Sequence, residues 1–462
     1  MGRLLERRGV LAAAFVLHAA ITLWTALHHE VWADEGDPWL LMRDADAASI
    51  LRAASGRGVP LLFETTVWPF ARLGAPYLAQ QLLNLVYVWL AVALMLRSRA
   101  FPAVVKILFA FGYYPAFEYA VIPRPYGLQM LLTFAMAEAW RERRARPLRL
   151  ALLVALLANT TVLGLITAAV AGAILLWERI GWRPVVVMLL GGLVSVAQLW
   201  PREGAQDVYS LVQLDTVWFT LASMFFPDAR IEDAIGPALI VLGLVVYGIS
   251  RSWQPVAFLL AAGTAAMLIY VFIWMGGLRH AGLLLIVTIA AIWIADAYGP
   301  YRRERVMMAA LAVALAYSIV PAYHAWADET RYAFSGSREF ADYVRTSGLD
   351  RNAVLVAHSP FWTSPLVYLP GVKIWYPAAG AYGTYAQWDR QDYDRSRVPL
   401  ETVLRQAHAQ LRGRRWVLLT HGELPEAERQ NYRLLFKSGV KIWRMRAERY
   451  RVYEPLRGAG TP

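Results

Sequence analysis

The chain has 462 residues, of which 58% are hydrophobic, and it carries a formal net charge of +12. Such an apolar content excludes an ordinary soluble domain, and the apolar residues form runs of about 15 to 22, close to the length that crosses a bilayer. The arginines lie in short loops between these runs, so the positive charge does not indicate a nucleic-acid partner. Because the chain contains no cysteine, disulfides, thiolate metal sites and cysteine nucleophiles are excluded.

The first apolar run, residues 10–27, follows a basic segment that contains Arg3, Arg7 and Arg8. Its apolar core of about 18 residues is longer than the 7 to 15 of a signal peptide, so we favour an uncleaved first span. The alternative is a signal peptide cleaved before Asp34. In either case Asp34 lies outside the cytoplasm.

Hydropathy predicts about eleven membrane spans in a transmembrane domain that covers residues 1–321. The predicted spans are residues 9–27, 76–96, 102–120, 126–140, 149–163, 164–177, 183–200, 236–250, 254–274, 279–297 and 303–321. An odd number places the amino terminus in the cytoplasm and every residue after Pro321 outside. Two long outer loops, 28–75 and 201–236, lie on the extracytoplasmic side.

The distribution of arginines in short loops supports this orientation. Clusters at 141–149 and 302–305 fall on the predicted cytoplasmic side, whereas Arg124 and Arg279 fall on the opposite side. Residues 150–177 form either one tilted helix or a tight hairpin broken around Asn159. A single helix would place the 302–305 cluster outside, so the hairpin is favoured.

Residues 322–462 have the patterning of a soluble α/β domain. We expect helices at 337–347, 401–411 and 426–435, strands at 353–357 and 415–420, and a closing β pair at 440–444 and 450–453. In the first outer loop, residues 39–54 have one apolar helical face and are expected to lie along the membrane surface, followed by a short aromatic segment at 60–73.

An acidic cluster directly follows the first span, in the sequence HHEVWADEGDPW at 28–39. A carboxylate at the membrane boundary suits a general base, because it meets an acceptor hydroxyl outside while a lipid-borne donor approaches laterally. Asp34 and Glu35 are the candidates for this role. Asp37, followed by Pro38, is more typical of a helix N-cap.

Two basic motifs lie at the outer ends of later spans. The first, AVIPRPYGL at 120–128, contains Arg124 and Tyr126, and the second, MGGLRHAG at 275–282, places Arg279 and His280 at a helix amino terminus. Arginine binds phosphate through bidentate hydrogen bonds, and a helix amino terminus also favours an anion. The alternatives are a snorkelling interfacial arginine for the first motif and a turn with two interfacial cations for the second.

Other polar and aromatic residues indicate a site less specifically. An aromatic stretch in the outer domain suits stacking on sugar rings, although core or interface positions explain many of its members: Phe361, Trp362, Tyr368, Trp375, Tyr376, Tyr382, Tyr385 and Trp388. His358 and His421 follow predicted strands and are interpreted as structural rather than as metal ligands. The second outer loop contains five polar residues that are candidates to bind an acceptor or a divalent ion: Tyr209, Asp215, Asp228, Glu232 and Asp233. The favoured alternative is a solvated loop without a binding role.

An acidic pair in the first outer loop of an eleven-span chain, with Arg-Pro-Tyr at 124–126, resembles the GT-C superfamily of integral-membrane glycosyltransferases, such as protein O-mannosyltransferases and lipid A aminoarabinose transferases. The resemblance implies a polyprenyl-phosphate-sugar donor, an acceptor that is a glycan, a lipid or a protein, and a bacterial inner-membrane location. It assigns the base to Asp34, with Glu35 beside it. Arg124, Tyr126, Arg279 and His280 would hold the lipid phosphate.

The implied mechanism is a direct displacement that inverts the anomeric centre, with no certain cofactor and with a divalent cation left open. A transporter and a non-catalytic membrane scaffold are the alternative functions. Transporters place ionisable residues or broken helices near the bilayer midplane, whereas these span centres hold little beyond Asn84, Gln129 and Gln198. A scaffold would leave Asp34 and the two outer arginines without a common purpose.

Overall fold

A helical membrane part and a smaller sheet domain make up the protein. The computed structural model describes residues 8–200, 212–359, 363–386 and 390–456, without the side chains of Arg390 and Tyr393. The helices of the membrane part are α1 (Arg8–His28), α2 (Ala33–Asp44), α3 (Ala47–Arg57), α4 (Leu62–Arg72), α5 (Leu78–Arg97), α6 (Ala103–Phe111), α7 (Pro125–Ala139), α8 (Pro147–Ala158), α9 (Val162–Trp177), α10 (Trp182–Leu199), α11 (Asp215–Phe225), α12 (Ile231–Ile249), α13 (Trp253–Phe272), α14 (Leu278–Asp296) and α15 (Glu304–Arg331).

Seven helices within the described residues are long and apolar enough to cross a membrane: α1, α5, α10, α12, α13, α14 and α15. Each of the eleven predicted spans coincides with a helix, but α6 to α9 contain only 9, 15, 12 and 16 residues. At a rise of about 1.5 Å per residue, such helices extend roughly 14 to 24 Å, less than the hydrocarbon core of about 30 Å. The chain is therefore a multi-pass membrane protein, while the count of eleven complete spans is not confirmed.

The predicted interruption near Asn159 is present between α8 and α9. Thr161 caps α9 by accepting a hydrogen bond from the Gly164 amide at 3.0 Å. Asn159 donates to the Gly191 carbonyl of α10, and Thr161 donates to Gln129 of α7 at 2.6 Å. Side chains that break the helix also bind it to its neighbours, so the break is a fixed feature of the packing.

Helix α14 lies at the centre of the bundle, since 89% of the residues in its 18-residue apolar stretch are buried, against 17% in the corresponding stretch of α10. The exposed face of α10 is apolar, with Leu189, Leu190 and Leu193 each more than half exposed. Such a face is stable in contact with lipid tails. The packing holds the amino terminus of α14, which carries Arg279, in a fixed position.

The first outer loop contains three helices, α2 to α4. The expected helix at 39–54 is two helices, because Asp46 caps α3 by accepting from the Ser49 amide at 2.7 Å. The proposed N-cap role of Asp37 is wrong: α2 begins at Ala33, and Pro38 lies inside it. Asp34 and Glu35 therefore occupy its first turn, where negative charge is favourable next to the helix dipole. Helix α4 coincides with the predicted segment 60–73.

Part of the second outer loop is helical. Helix α11 begins at Asp215, and the first turn of α12 contains Glu232 and Asp233. Residues 201–211, and with them Tyr209, lie outside the described residues. Residues 215–225 of the predicted loop are therefore a helix, which packs against α12 and α14.

The sheet domain follows α15, which continues beyond Pro321 to Arg331. Its elements are α16 (Ser337–Thr346), α17 (Leu349–Asn352), β1 (Val354–Ala357), β2 (Ile374–Tyr376), β3 (Ala381–Gly383), α18 (Arg390–Ser396), α19 (Leu400–Gln410), β4 (Trp416–Thr420), α20 (Glu426–Arg429), β5 (Tyr432–Lys437) and β6 (Arg451–Pro455). The described sheet has the order β3-β2-β1-β4-β6-β5, with β1 parallel to both β2 and β4.

Two predictions for this domain are wrong in detail. The expected helix at 426–435 ends at Arg429, and the closing pair is β5 with β6 rather than 440–444 with 450–453. Residues 440–444 contribute only an isolated bridge from Ile442 to Ala333. Pairing of β5 along the edge of β6 satisfies its backbone groups, and this tertiary contact overrides the local helical pattern.

Candidate functional site

Asp34 lies in the first turn of α2, which the chain enters through the extended residue Trp32. Pro38 has no N–H, so it cannot bond the Asp34 carbonyl oxygen four residues earlier in the helix. Arg124 donates to this oxygen from Nη1 at 2.8 Å. The proline thus leaves a backbone acceptor for an arginine that comes from a distant helix.

Two guanidinium groups converge on the Asp34 carboxylate. Arg124 Nη1 is 2.9 Å from Asp34 Oδ2, and Arg279 Nη1 is 3.3 Å from the same oxygen. The Asp34 side chain is 30% exposed, and the two arginine side chains are 16% and 20% exposed. Three residues that the sequence marked separately therefore meet in one partly open position.

Backbone contacts fix the two arginines. Arg124 is the extended residue before α7, and Gln80 donates to both the Pro123 and the Glu35 carbonyl oxygens, which ties this segment to α2. The Arg279 carbonyl accepts from the Tyr119 hydroxyl at 2.7 Å. Both guanidinium groups are thereby held at helix amino termini, where the dipole favours an anion.

Each arginine retains donors that Asp34 does not engage. A guanidinium has five N–H donors, and the contacts with Asp34 use Nη1 of each arginine. Arg124 Nε is buried and has no hydrogen-bond partner within the described part of the chain. Burial lowers the pKa of Arg124, but Asp34, Tyr126, Glu35 and Glu64 together outweigh burial and raise that pKa, so the guanidinium stays charged.

Tyr126 and His280 form a hydrogen-bonded pair beside the arginines. His280 Nδ1 accepts from the Gly277 amide at 2.9 Å, so the ring proton lies on Nε2, which donates to the Tyr126 hydroxyl at 2.9 Å. The hydroxyl keeps its own proton for a further acceptor. His280 is buried against Trp274, so it acts on the site through Tyr126 rather than as an exposed cation.

Glu35 is fully buried and faces a different set of partners from Asp34. It accepts from His29 Nε2 at 3.0 Å and from the Tyr77 hydroxyl at 3.0 Å. His29 Nδ1 also bonds Glu329 of α15 at 2.9 Å. Burial lowers the pKa of His29, but the two carboxylates outweigh it and raise that pKa to about 10. This carboxylate–imidazolium–carboxylate triad joins α1, α2 and α15.

The sequence reasoning missed a second buried ion pair in the outer loop. Arg57 Nη2 is 3.1 Å from Glu64 Oε1, and Arg57 Nη1 is 3.9 Å from Asp37 Oδ2. Asp37 also accepts from the Ala386 amide of the sheet domain at 3.0 Å. A glutamate inside the apolar segment 60–73 was the available signal, since a buried carboxylate needs a partner.

A third ion pair joins the sheet domain to the membrane part. Arg444 Nη2 lies 2.7 Å from Glu118 Oε2, and its Nη1 donates to the Tyr113 hydroxyl at 2.6 Å. Glu118 was not among the predicted site residues, although an acidic residue inside a predicted span is itself a signal of a buried partner. This contact fixes the sheet domain above the ends of the bundle.

The weaker candidates lie elsewhere. Tyr376, Tyr382 and Tyr385 line a cavity of the sheet domain, whereas Phe361, Trp362 and Trp388 lie outside the described residues. His358 donates to a backbone carbonyl, and His421 packs its edge against Tyr450. Among the described residues, no group of three or more histidine, aspartate or glutamate side chains is arranged to hold a metal ion. A divalent cation therefore stays a prediction.

Solved structures match the whole architecture, whereas no family model and no curated protein sequence matches. ArnT from Cupriavidus metallidurans in the apo state superposes with a TM-score of 0.57 and 13% identity, over 97% of this chain and 98% of that one. The same protein bound to undecaprenyl phosphate gives a TM-score of 0.57 and 12% identity, over 99% and 100%.

The chain shares the overall fold of ArnT. The superposition spans both the helical bundle and the small sheet domain. The predicted resemblance to GT-C membrane proteins is thus confirmed at the level of the fold. At 12–13% identity the likeness carries the fold alone, and the chemistry depends on the residues around Asp34.

Proposed function

We propose that this protein transfers a sugar from a polyprenyl-phosphate donor to an acceptor hydroxyl at the extracytoplasmic face of a bacterial inner membrane, with inversion. The observation that carries the proposal is the convergence of Arg124 and Arg279 on the Asp34 carboxylate. The GT-C fold supports it, and so does the binding of undecaprenyl phosphate by an ArnT of the same fold.

The arginine distribution of the loops supports an outer location for the site. Asp34 lies on the side of the sheet domain, because the neighbouring Ala33 amide donates to Glu448 of that domain at 2.8 Å. The loops on the opposite side carry the basic clusters 141–149 and 302–305, which are typical of a cytoplasmic face. The amino terminus would then be cytoplasmic and the sheet domain periplasmic.

The donor phosphate is proposed to bind between Arg124 and Arg279. Both guanidinium groups carry unused N–H donors, and the Tyr126 hydroxyl keeps a proton for a phosphate oxygen. Arginine–phosphate contacts are charge-assisted and often bidentate, so a phosphate with several oxygens competes well with a single carboxylate. The charge that develops on the leaving phosphate is stabilised at the same position.

Phosphate binding would in turn prepare Asp34 as the base. In the protein alone, both arginines hold its carboxylate, and once they turn to the phosphate that carboxylate can accept a proton. The acceptor oxygen then attacks the anomeric carbon, the bond from that carbon to the phosphate oxygen breaks, and polyprenyl phosphate leaves. The hydroxyl proton passes to Asp34. Asp34 is chosen over Glu35 because only Asp34 is accessible.

Transfer of radiolabelled sugar from polyprenyl-phosphate donors to acceptors in membrane extracts tests the proposal directly. We expect Asp34→Asn to lower the rate about 10²- to 10⁴-fold, the usual contribution of a general base. Arg279→Ala removes charge-assisted hydrogen bonds worth about 1.5–3 kcal/mol, or roughly 10- to 100-fold. Asp342→Asn and Arg331→Ala change exposed residues of the same types and serve as matched controls.

The outcomes separate the parts of the proposal. Transfer that survives Asp34→Asn would support the glycosyltransferase function but rule out Asp34 as its base. No transfer from any donor would rule out the glycosyltransferase function and favour a transporter or a scaffold. Donor binding should persist in Asp34→Asn and weaken in Arg279→Ala. Treatment with EDTA, followed by addition of Mg²⁺ or Mn²⁺, tests the divalent cation.

A further inference from the structure

Helix α2, which carries Asp34, begins without a capping side chain of its own. The residue before it is Trp32, whose indole can donate a hydrogen bond but cannot accept one. The first amides of a helix have no carbonyl partner within the helix and need an acceptor from elsewhere. For the Ala33 amide this acceptor is Glu448 of the sheet domain, through Oε1 at 2.8 Å. Glu448 therefore caps α2 from a position 415 residues further along the chain.

Side chains of the sheet domain hold the Glu448 carboxylate in place. Ser364 and Ser337 donate to its Oε2 at 3.2 Å and 3.5 Å, and the Tyr450 hydroxyl lies 2.8 Å from that of Ser364. Glu448 is only 7% exposed, and the three hydroxyl-bearing residues are also buried. Burial of a carboxylate is costly unless hydrogen bonds compensate it. The cap is thus a built feature of the interior and not a surface contact.

The sheet domain also binds the chain just before α2. The Val31 amide donates to the Tyr368 hydroxyl at 3.0 Å, and the Val31 carbonyl accepts from the Ser335 hydroxyl at 2.7 Å. With the Ala33 amide, three backbone groups within three residues are therefore bound by side chains of the sheet domain. The path by which the chain enters α2 is fixed from this side.

The membrane part binds the opposite ends of the peptide groups in the same turn. Arg124 donates to the Asp34 carbonyl at 2.8 Å, and Gln80 donates to the Glu35 carbonyl at 3.1 Å. The first turn of α2 thus lies between the two parts, with an amide bound by the sheet domain and carbonyls bound by the membrane part. The orientation of Asp34 depends on both sets of contacts.

Gly36 permits α2 to approach the sheet domain closely. A Cβ at this position would lie 3.1 Å from Val367 Cγ2 and 3.2 Å from Ser364 Cα. Both neighbours belong to the 3-10 turn Ser364–Val367, which supplies a hydroxyl to Glu448. A larger residue than glycine would push the helix and this turn apart, and with them the cap.

We propose that Glu448 is a positioning residue of the transfer reaction, which directs the Asp34 carboxylate toward the acceptor hydroxyl by capping α2. Asp34 is the second residue of the helix, so a shift of the first turn moves its carboxylate directly. A general base must lie within about 2.6–3.2 Å of its partner, and a misplacement of about 1 Å can slow a reaction about 100-fold. The catalytic part of this proposal rests on the glycosyltransferase function proposed above.

Hydrogen exchange at single-residue resolution, measured on the detergent-purified full chain, tests the cap without requiring transfer. Glu448→Ala removes the acceptor, so we expect exchange of the Ala33 amide to accelerate roughly 3- to 30-fold, the usual effect of losing a helix cap. Glu426→Ala, at an exposed glutamate of α20, is the matched control. Unchanged exchange in Glu448→Ala, or equal acceleration in the control, overturns the cap.

Glu448→Gln is the conservative variant. Burial raises the pKa of Glu448 to about 7, although the Ala33 amide and the Ser364 hydroxyl lower it, so the site accommodates a neutral side chain. The glutamine oxygen still accepts from the Ala33 amide, and we expect most of the protection to remain. If Glu448→Ala exchanges faster throughout the chain, Ser364→Ala replaces it, since this change removes only an orienting hydroxyl. Its expected effect on Ala33 exchange is roughly two- to tenfold.

Transfer kinetics test the catalytic consequence. We expect Glu448→Ala to lower kcat about 10- to 100-fold, with the KM values of donor and acceptor within about threefold of wild type. Glu448→Gln should restore kcat to within about fivefold of wild type. Calorimetric titration with undecaprenyl phosphate should give the affinity and stoichiometry of wild type for both variants. A variant that had merely unfolded in part would bind with a lower stoichiometry.

The outcomes distinguish failure of this proposal from failure of the proposed function. Faster Ala33 exchange with unchanged kcat would overturn the positioning role and leave a structural cap. A fall in kcat that Glu448→Gln does not relieve, or that comes with a lower binding stoichiometry, would also overturn it. Absence of transfer by wild type from any donor would reject the transferase and the catalytic role together, whereas the exchange result would still decide whether Glu448 caps α2.

Discussion

Replacing His29 with leucine leaves two buried carboxylates without their shared partner. His29 bonds Glu35 on one side and Glu329 on the other, and all three side chains are buried. Removal of one member of a buried ionic group usually costs about 3–5 kcal/mol, because the remaining charge is uncompensated. The rise in the pKa of His29 from 6.5 to about 10 has the sign expected of an imidazolium that two carboxylates stabilise, whereas burial raises the pKa of Glu35 and offsets part of this stabilisation.

The same shift predicts how stability depends on pH. Because the folded-state pKa of His29 is raised, its contribution is fully present below pH 6.5 and is lost as pH rises through about 10. Between pH 7 and pH 9.5 the linkage relation gives a loss of about 3 kcal/mol from this residue. His29→Leu lacks the titrating group, so it should show a shallower decline over this interval.

Thermal unfolding in detergent, followed by tryptophan fluorescence, measures both effects. Taking about 2 °C per kcal/mol for a large chain, we expect His29→Leu to melt about 6–10 °C below wild type at pH 7. The difference in melting temperature between wild type and His29→Leu should be about 6 °C smaller at pH 9.5 than at pH 7. His324→Leu, at an exposed position of α15, is the matched control. Melting of His29→Leu within about 2 °C of wild type at pH 7 would refute the ionic triad.

Two further substitutions test how the site is held, in addition to the transfer and binding experiments above. Gly282→Ala would place a Cβ 2.2 Å from the Tyr114 ring, so we expect a destabilisation of about 1–3 kcal/mol, seen as a lower melting temperature; unchanged melting would show that the ring can move. Arg444→Ala leaves Glu118 buried without its cation and Tyr113 without a donor, and should cost about 3–5 kcal/mol. Limited proteolysis should then release the sheet domain more readily than in wild type, and equal cleavage rates would contradict the proposed anchoring contact.

The location of the helices follows from short-range patterns that the sequence carries in full. Apolar runs identified each of the seven described helices that are long enough to span the membrane, and the polar group around Asn159 located the break between α8 and α9. The same patterns did not determine how many helices cross, because a run such as 102–120 is divided after Phe111 by a π-helical turn at Tyr114–Glu118. Hydropathy does not detect such a change of backbone hydrogen bonding.

The candidate site combines residues whose importance was visible with contacts that were not. Asp34 was marked because it lies in an acidic cluster directly after the first span, and Arg124 and Arg279 because they oppose the positive-inside distribution of arginines. Glu35, next in sequence to Asp34, looked equivalent, but its side chain enters a buried triad with His29 and Glu329. Adjacent residues of a helix point about 100° apart, so they face different environments that only the packing defines.

The sequence by itself determined that this chain crosses a membrane, which charges lie at the outer helix ends, and that a small α/β domain follows. Composition and periodicity fix these features because each depends on contacts between near neighbours and the solvent. Tertiary structure decided that Arg124 and Arg279 share Asp34, that Arg444 pairs with Glu118, and that Glu448 caps α2. These contacts join segments separated by 90 or more residues, and only the packing of helices against one another brings them within hydrogen-bond distance.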